Sequence, residues 1–297
     1  MNKLVVGSRE SKLAIAQTKL VIAQLQKEDP TLEVEIKTFK TSGDRLQTQS
    51  VDMVTNKGLF VKELEEALCE EKIDFAVHSL KDIPMEVPEK LPIVAMPKRG
   101  DPRDVVVFKK GCFDGLNHFR NMRVGTSSIR RRVQLQALYK EARVEEVRGN
   151  IITRLRKLED GEFDAILLAA AGLQRVGLEN RIGMYFETDE ILPAAGQGVL
   201  AIQARKETDA SLLQAINDQE TAMIATAERA YVKELGGSCT SPVAAYGQIK
   251  NNKLYLSGLF YREDTNHFYK ETIIADKEDP EASGVSFAKY MRKRYRS

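Results

Sequence analysis

The chain has 297 residues, of which 42% are hydrophobic and 30% charged, and a formal net charge of +2. That length exceeds one ordinary core and implies two or three domains, and the composition is that of a globular protein rather than a disordered or membrane-spanning chain. A near-neutral total excludes a strongly basic nucleic-acid binder, so affinity for anions has to come from local clustering. Three widely spaced cysteines, Cys69, Cys112 and Cys239, argue against a disulfide framework and for a reducing compartment. The first residues run straight into strand-like sequence with no signal-peptide core, and no long apolar span follows, so a cytoplasmic protein that does not enter the membrane is expected.

Residues 3–7 form a short apolar strand, and Ser8 and Ser11 are both suitable caps for a helix over 12–26. Residues 32–39 alternate like a strand. The stretch 41–58 is polar, with Gly43 near its start and Gly58 at its end, and is long enough to be a lid. Helix resumes over 60–71. Residues 73–77 read as a buried parallel strand, with His78-Ser79-Leu80-Lys81-Asp82-Ile83-Pro84 at its carboxyl end, where ligands collect in open α/β sheets. Position alone makes Asp82 a turn residue as readily as a chemical group, and His78 a core histidine. The prolines at 88, 92, 97 and 102 mark a first domain boundary.

The middle third repeats one device. Strand 123–125, turn Thr126-Ser127-Ser128 and helix 129–139 carry Arg130, Arg131 and Arg132. Strand 144–147, turn Arg148-Gly149-Asn150 and helix 151–158 carry Arg154. Strand 164–170 leads to Arg175. Each turn aims a helix N-terminus at the carboxyl edge of the sheet, and arginine adds planar donors suited to carboxylate or phosphate. Several such turns together point to an anion-binding cleft, while the missing GxxxxGK[ST] speaks against a nucleotide P-loop.

Leu192-Pro193-Ala194-Ala195-Gly196-Gln197-Gly198 suggests a second crossing between domains, and strand 199–204 is a candidate to return to the first sheet. Residues 211–235 read as one helix. It ends at Gly236-Gly237-Ser238-Cys239-Thr240-Ser241-Pro242, either a helix cap around a buried thiol or a thiol presented on a loop; spacing alone favours the former. A hairpin over 253–261 and 268–275 and a basic helix over 280–296 complete a small α+β domain.

Seven segments in order resemble the porphobilinogen deaminase (hydroxymethylbilane synthase) family over essentially the whole chain. They are Gly7-Ser8-Arg9-Glu10-Ser11-Lys12-Leu13-Ala14, Lys57-Gly58-Leu59-Phe60-Val61-Lys62-Glu63-Leu64-Glu65, Val77 to Pro84, Val124 to Arg131, Arg148-Gly149-Asn150, Leu192 to Gly198, and Glu228-Arg229 followed by the Gly-Ser-Cys loop. The resemblance implies an α/β fold of two periplasmic-binding-protein-like domains with a cleft between them, plus a small C-terminal α+β domain. The expected division is 1–98 with 192–216, then 99–191, then 217–297. It implies a transferase of tetrapyrrole biosynthesis that joins four porphobilinogen molecules head to tail, losing four ammonias and releasing hydroxymethylbilane. The primer is a dipyrromethane cofactor held by a thioether, here at Cys239.

Every pyrrole ring brings an acetate and a propionate, which suits arginine forks and helix N-termini. By residue-wise match, Ser79, Lys81, Asp82, Thr126, Ser127, Ser128, Arg130, Arg131, Arg148, Gly149 and Asn150 are expected to bind the cofactor. Arg9, Ser11, Phe60, Arg148, Arg154, Arg175 and Gln197 are expected at the substrate. Asp82 matches the catalytic aspartate, placed to stabilise positive charge on pyrrole nitrogens and assist proton transfer. No metal, nucleic acid or membrane is implied, and family analogy gives a monomer. The chain departs from the common pattern at Ser238, Ser241 and Ala16, which touch loop conformation and helix packing rather than the thiol. Three rival readings rank lower: a non-catalytic two-lobed binder leaves Cys239 and Asp82 without a role, a Cys239–His78 hydrolase has no other motif for acyl transfer, and a nucleic-acid site at Arg130–Arg132 has few aromatics around it for stacking.

Overall fold

The computed structural model describes residues 3–43, 58–111, 119–237 and 241–295. Most of the expected lid, together with Cys112 and Cys239, lies outside the described residues. In chain order the elements begin β1 (Lys3–Arg9), α1 (Lys12–Glu28), β2 (Glu33–Phe39), α2 (Lys62–Cys69), β3 (Phe75–Ser79), a 3-10 turn (Leu80–Asp82) and β4 (Ile93–Ala95). Then come β5 (Asp104–Phe108), β6 (Arg123–Gly125), α3 (Ile129–Leu138), β7 (Arg143–Glu145), α4 (Ile151–Glu159), β8 (Ala165–Ala169), α5 (Ala170–Arg175) and β9 (Met184–Tyr185). The chain continues through β10 (Leu200–Ala204), α6 (Ser211–Ala215), α7 (Gln219–Glu234), β11 (Ala244–Lys250), β12 (Lys253–Arg262), β13 (His267–Ala275) and α8 (Pro280–Tyr295). No helix among the described residues is long and apolar enough to cross a membrane.

The chain divides into two compact units, Met1–Gly100 with Val199–Ala222, and Asp101–Gly198 with Met223–Ser297. In the first, the sheet order is β2-β1-β3-β10-β4, with β2, β1 and β3 parallel and β10 antiparallel to both neighbours. In the second, the order β7-β6-β8-β5-β9 repeats that plan, with β5 as the antiparallel strand. Residues 199–204 therefore do return to the first sheet. Four strands escaped the sequence reading: β4 and β5, within and just behind the proline-rich boundary, the two-residue β9, and β11.

Alternation along each strand builds a core on both faces. Phe75 and Val77 of β3 pack with Val6, Val21 and Leu25, whereas Ala76 turns to Leu64, Leu68 and Leu91. In the second unit Val105 and Val107 of β5 face one layer, and Val106 and Phe108 face the other.

The stretch 211–235, expected as one helix, is two. Asn217 Oδ1 accepts the Met96 N–H at 2.8 Å, and Asp218 Oδ1 accepts the Thr221 N–H at 2.7 Å. Both side chains compete for backbone groups, and Asp218 restarts the helix as a cap.

The C-terminal sheet runs β11-β12-β13, all antiparallel. Its first hairpin turns through Asn251 and Asn252, both at positive φ (50° and 61°), which asparagine tolerates better than most residues. Tyr231 of α7 and Phe287 of α8 pack with ring centroids 5.1 Å apart. Gly284 of α8 sits so close to α7 that a Cβ there would lie 2.3 Å from the Ala227 carbonyl oxygen and 2.8 Å from the Ala230 Cβ. Gly284→Ala should therefore force the helices apart and lower stability by about 2 kcal/mol, read from the urea midpoint at unchanged slope.

Candidate functional site

In the first unit, two strand ends converge on a pocket whose wall includes Arg9, Ser11, Phe60, His78, Ser79 and Asp82. β1 ends at Arg9, and Ser11 caps α1, its Oγ accepting the Ala14 N–H at 3.2 Å. The Arg9 guanidinium lies 4.3 Å over the centroid of the Phe60 ring. Gly43 makes room for that ring, since a Cβ there would fall 2.2 Å from Phe60 Cε1. β3 ends at Ser79, whose Oγ accepts from Gln17 Nε2 at 2.9 Å.

The turn that follows is pinned at both ends. Leu80 is fully buried and its N–H reaches the Val199 carbonyl at 3.0 Å; Ile83, 1% exposed, closes the turn onto Leu80 O at 3.1 Å. Lys81 and Asp82 are left half-buried, with Asp82 facing the pocket. The His-Ser-Leu-Lys-Asp-Ile-Pro run thus alternates anchors with chemical groups.

In the second unit, β6 runs into Thr126-Ser127-Ser128. Thr126 Oγ1 accepts the Ser128 N–H at 3.2 Å, Ser128 Oγ accepts the Arg131 N–H at 3.4 Å, and Ser127 Oγ donates to the Val147 carbonyl. These hydroxyls shape the start of α3. Arg130 and Arg131 turn inward onto Asp104, which has no exposure at all. Arg130 Nη1 donates to Asp104 Oδ2 at 2.6 Å and to the Leu192 carbonyl at 2.7 Å. Arg131 donates to Asp104 Oδ1 through Nε at 2.9 Å and Nη2 at 2.7 Å, and through Nη1 to the Leu167 carbonyl at 3.1 Å.

Gln197, expected at the substrate, is buried, and its Nε2 donates to Asp104 Oδ1 at 2.9 Å and to the Pro102 carbonyl at 2.7 Å. Burial works to raise the Asp104 carboxyl, but the charges of Arg130 and Arg131 and their hydrogen bonds outweigh it and hold the group well below the usual carboxylate range. Two cations around one anion leave the cluster net positive.

Asp104 is the residue that sequence reasoning missed. It lies two residues past Pro102, directly behind the proline-rich segment that marks the expected domain boundary.

Of the remaining expected residues, Arg148, Gly149, Asn150 and Arg154 lie at the start of α4, and Arg175 ends α5. Asn150 caps α4, its Oδ1 accepting the Thr153 N–H at 3.0 Å. Gly149 has φ +115°, and a Cβ there would lie 2.7 Å from Thr153 Cγ2, so glycine is required. Arg154 Nε donates to the Gly149 carbonyl at 2.7 Å, and half-exposed Arg148 shares its charge with Glu146 at 2.8 Å. Arg175 Nη2 donates to the Gly198 carbonyl at 2.5 Å, and burial lowers its guanidinium to about 10.

Cys239 lies outside the described residues, but the approach to it is clear. Gly236, at φ +71°, ends α7 with its N–H on Lys233 O, and the Gly237 N–H returns to Val232 O, each at 2.9 Å. Glu228 of α7, fully buried, accepts the Gly196 N–H at 2.7 Å on one oxygen and the Gly247 N–H at 2.8 Å on the other.

Two α/β sheets of one topology, with arginines and capped helix N-termini at their strand ends, define a protein of the anion-binding α/β class. The model of the family "Porphobilinogen deaminase, dipyromethane cofactor binding domain" matches residues 4–213, and that of its C-terminal domain matches residues 222–293. The porphobilinogen deaminase of Acetivibrio thermocellus is 48% identical over 295 residues, covering 98% of both chains. That of Alkaliphilus oremlandii is 50% identical over 290 residues, covering 98% of this chain and 97% of the other. Among solved structures, a periplasmic binding protein of Salmonella typhimurium aligns at TM-score 0.41 and 17% identity over 75% of this chain and 94% of its own. The chain belongs to the porphobilinogen deaminase family.

The Asp104 cluster makes a direct prediction. Asp104→Ala would leave two buried guanidiniums without a counter-charge and should cost about 3–5 kcal/mol of stability in equilibrium urea unfolding, far beyond a surface change such as Glu146→Ala.

Proposed function

We propose that this chain is the transferase that joins four porphobilinogen molecules head to tail into hydroxymethylbilane, with Asp82 as its catalytic carboxylate and Cys239 as the attachment point of a dipyrromethane primer. The observation that carries the reading is the placement of Asp82: half-buried on a turn fixed by Leu80 and Ile83, at the end of β3, in a pocket walled by Arg9 and Phe60. The same reading makes it a cytoplasmic monomer with porphobilinogen as its substrate and three domains divided as expected from the sequence.

The donor set suits the primer, which bears four carboxylates. The cluster of Arg130, Arg131 and Asp104 carries a net positive charge beneath the start of α3, and Arg148 and Asn150 stand at the start of α4. Thr126, Ser127, Ser128, Ser79, Lys81 and Gly149 complete the set assigned to it. When bound, the group supplies the free pyrrole α-carbon on which chain growth starts.

The chain's own residues do the rest. Arg9, Arg154 and Arg175 hold acetate and propionate groups of incoming rings, and Phe60 offers an apolar face to a ring. As the aminomethyl C–N bond of a substrate breaks and ammonia leaves, positive charge develops over the pyrrole. A fixed carboxylate at Asp82 stabilises that charge at the ring N–H, and takes up and returns a proton as the new C–C bond forms and the α-hydrogen is lost.

Intact mass of the denatured protein beside a Cys239→Ser variant tests the attachment: an excess equal to two linked pyrrole units is expected, absent from the variant. A bare mass that incubation with porphobilinogen does not increase would remove the primer from the reading. Asp82→Ala should keep the added mass and lose turnover by about a hundredfold or more; near-normal turnover would overturn the catalytic assignment.

A further inference from the structure

On the face of β3 that carries Ala76, three polar side chains run through an otherwise apolar layer: Glu65 of α2, Gln203 of β10 and His78 of β3. Gln203 has no exposure, and its Nε2 donates to Glu65 Oε1 at 3.0 Å and to the Leu91 carbonyl at 2.9 Å. Both acceptors need a donor, so the carboxamide has one admissible orientation, with Oε1 as the acceptor that remains.

That Oε1 is buried and unpartnered, and so is Nε2 of His78. In the β10–β3 ladder Gln203 is paired with Ala76 and Ala201 with His78. Gln203 and His78 are therefore diagonal neighbours on one face, within reach of each other's side chains. Two buried orphans of complementary kind in adjoining positions are best explained as partners. The Gln203 acceptor requires the Nε2–H tautomer, which leaves Nδ1 without a proton on a neutral ring.

His78 is 5% exposed and forms part of the wall of the Asp82 pocket. Burial, aided by the nearby Arg9 charge, lowers its imidazole to about 4, against a smaller opposing effect of Gln203. The ring therefore adds no second cation next to Arg9.

We propose that His78 is a positioning residue for the coupling reaction: held as the Nε2–H tautomer by Gln203, and through it by Glu65, it fixes the carboxyl end of β3 and with it the aim of Ser79 and Asp82 into the pocket. This rests on the assignment of that pocket as the place of reaction. A histidine serving only as core filler needs no particular hydrogen at Nε2, and that is where the two roles part.

The test compares His78→Gln, His78→Asn and His78→Phe in the cofactor-loaded enzyme, with thermal midpoint and intact mass measured alongside kcat and KM for porphobilinogen. Gln puts an N–H donor near the position of Nε2, whereas Asn puts its amide near Nδ1. His78→Gln should keep kcat within about threefold, while Asn and Phe should lose about tenfold or more with KM within about twofold. Gln203→Leu should match His78→Phe, and the double variant should be no worse than either alone. Normal turnover in His78→Phe, or equal losses in Gln, Asn and Phe, would overturn the inference. If His78→Phe does not fold, the Gln–Asn comparison decides. Asp82→Ala assayed in parallel separates the two claims: if it is active, the pocket assignment fails, and if it is inactive while His78→Phe is normal, only the role of His78 fails.

Discussion

One buried carboxylate organises the second unit. Asp104 gathers donors from α3, 26 and 27 residues further on, and from Gln197, 93 residues away. Without it two guanidiniums would sit desolvated in the interior, a state that proteins relieve by pairing or by unfolding. The pairing also draws in the chain that leaves the unit: Arg130 and Gln134 hold the Leu192 carbonyl, and Gln134 Oε1 accepts the Leu192 N–H at 2.8 Å. Charge, helix start and crossing segment are thus fixed by one network.

The two sheets use the same βα geometry for different ends. A strand that runs into a helix through a short turn places polar turn residues and unpaired N–H groups at the sheet's carboxyl edge. In the first unit that edge presents Ser79, Asp82 and the Arg9–Phe60 stack; in the second it presents the Asp104 cluster and the Arg148–Arg154 turn. The division follows from which residues follow each strand, not from any difference in architecture.

Much of this was legible in the sequence. Thr126-Ser127-Ser128, Arg148-Gly149-Asn150 and the run from His78 to Pro84 are local signals, and each lies at the strand end where its spacing put it. What escaped depends on partners distant in the chain. Nothing near Asp104 announces that Arg130 and Arg131 need it, whereas the caps Ser11 and Ser128 were local enough to be read. β5 was lost among prolines, and β11, with Ala244, Ala245 and Gly247, has weak strand propensity that only packing overcomes. The break at Asn217 and Asp218 was written in two residues that prefer the backbone to a helix interior, yet apolar periodicity on either side masked it.

The antiparallel strand in each sheet bears on the order in which the protein can be built. The second unit's α/β sheet draws all five strands from one continuous stretch, β5 to β9. The first unit's sheet is interrupted: β4 pairs with β10 alone, and β10 lies beyond that whole stretch. On the ribosome, β1 to β4 emerge first yet must wait, with one side of β3 and all of β4 unpaired, until residues 200–204 arrive. The sheet begun first is closed only after the second unit's α/β sheet has been made, and its open edges are most vulnerable to wrong partners during that interval.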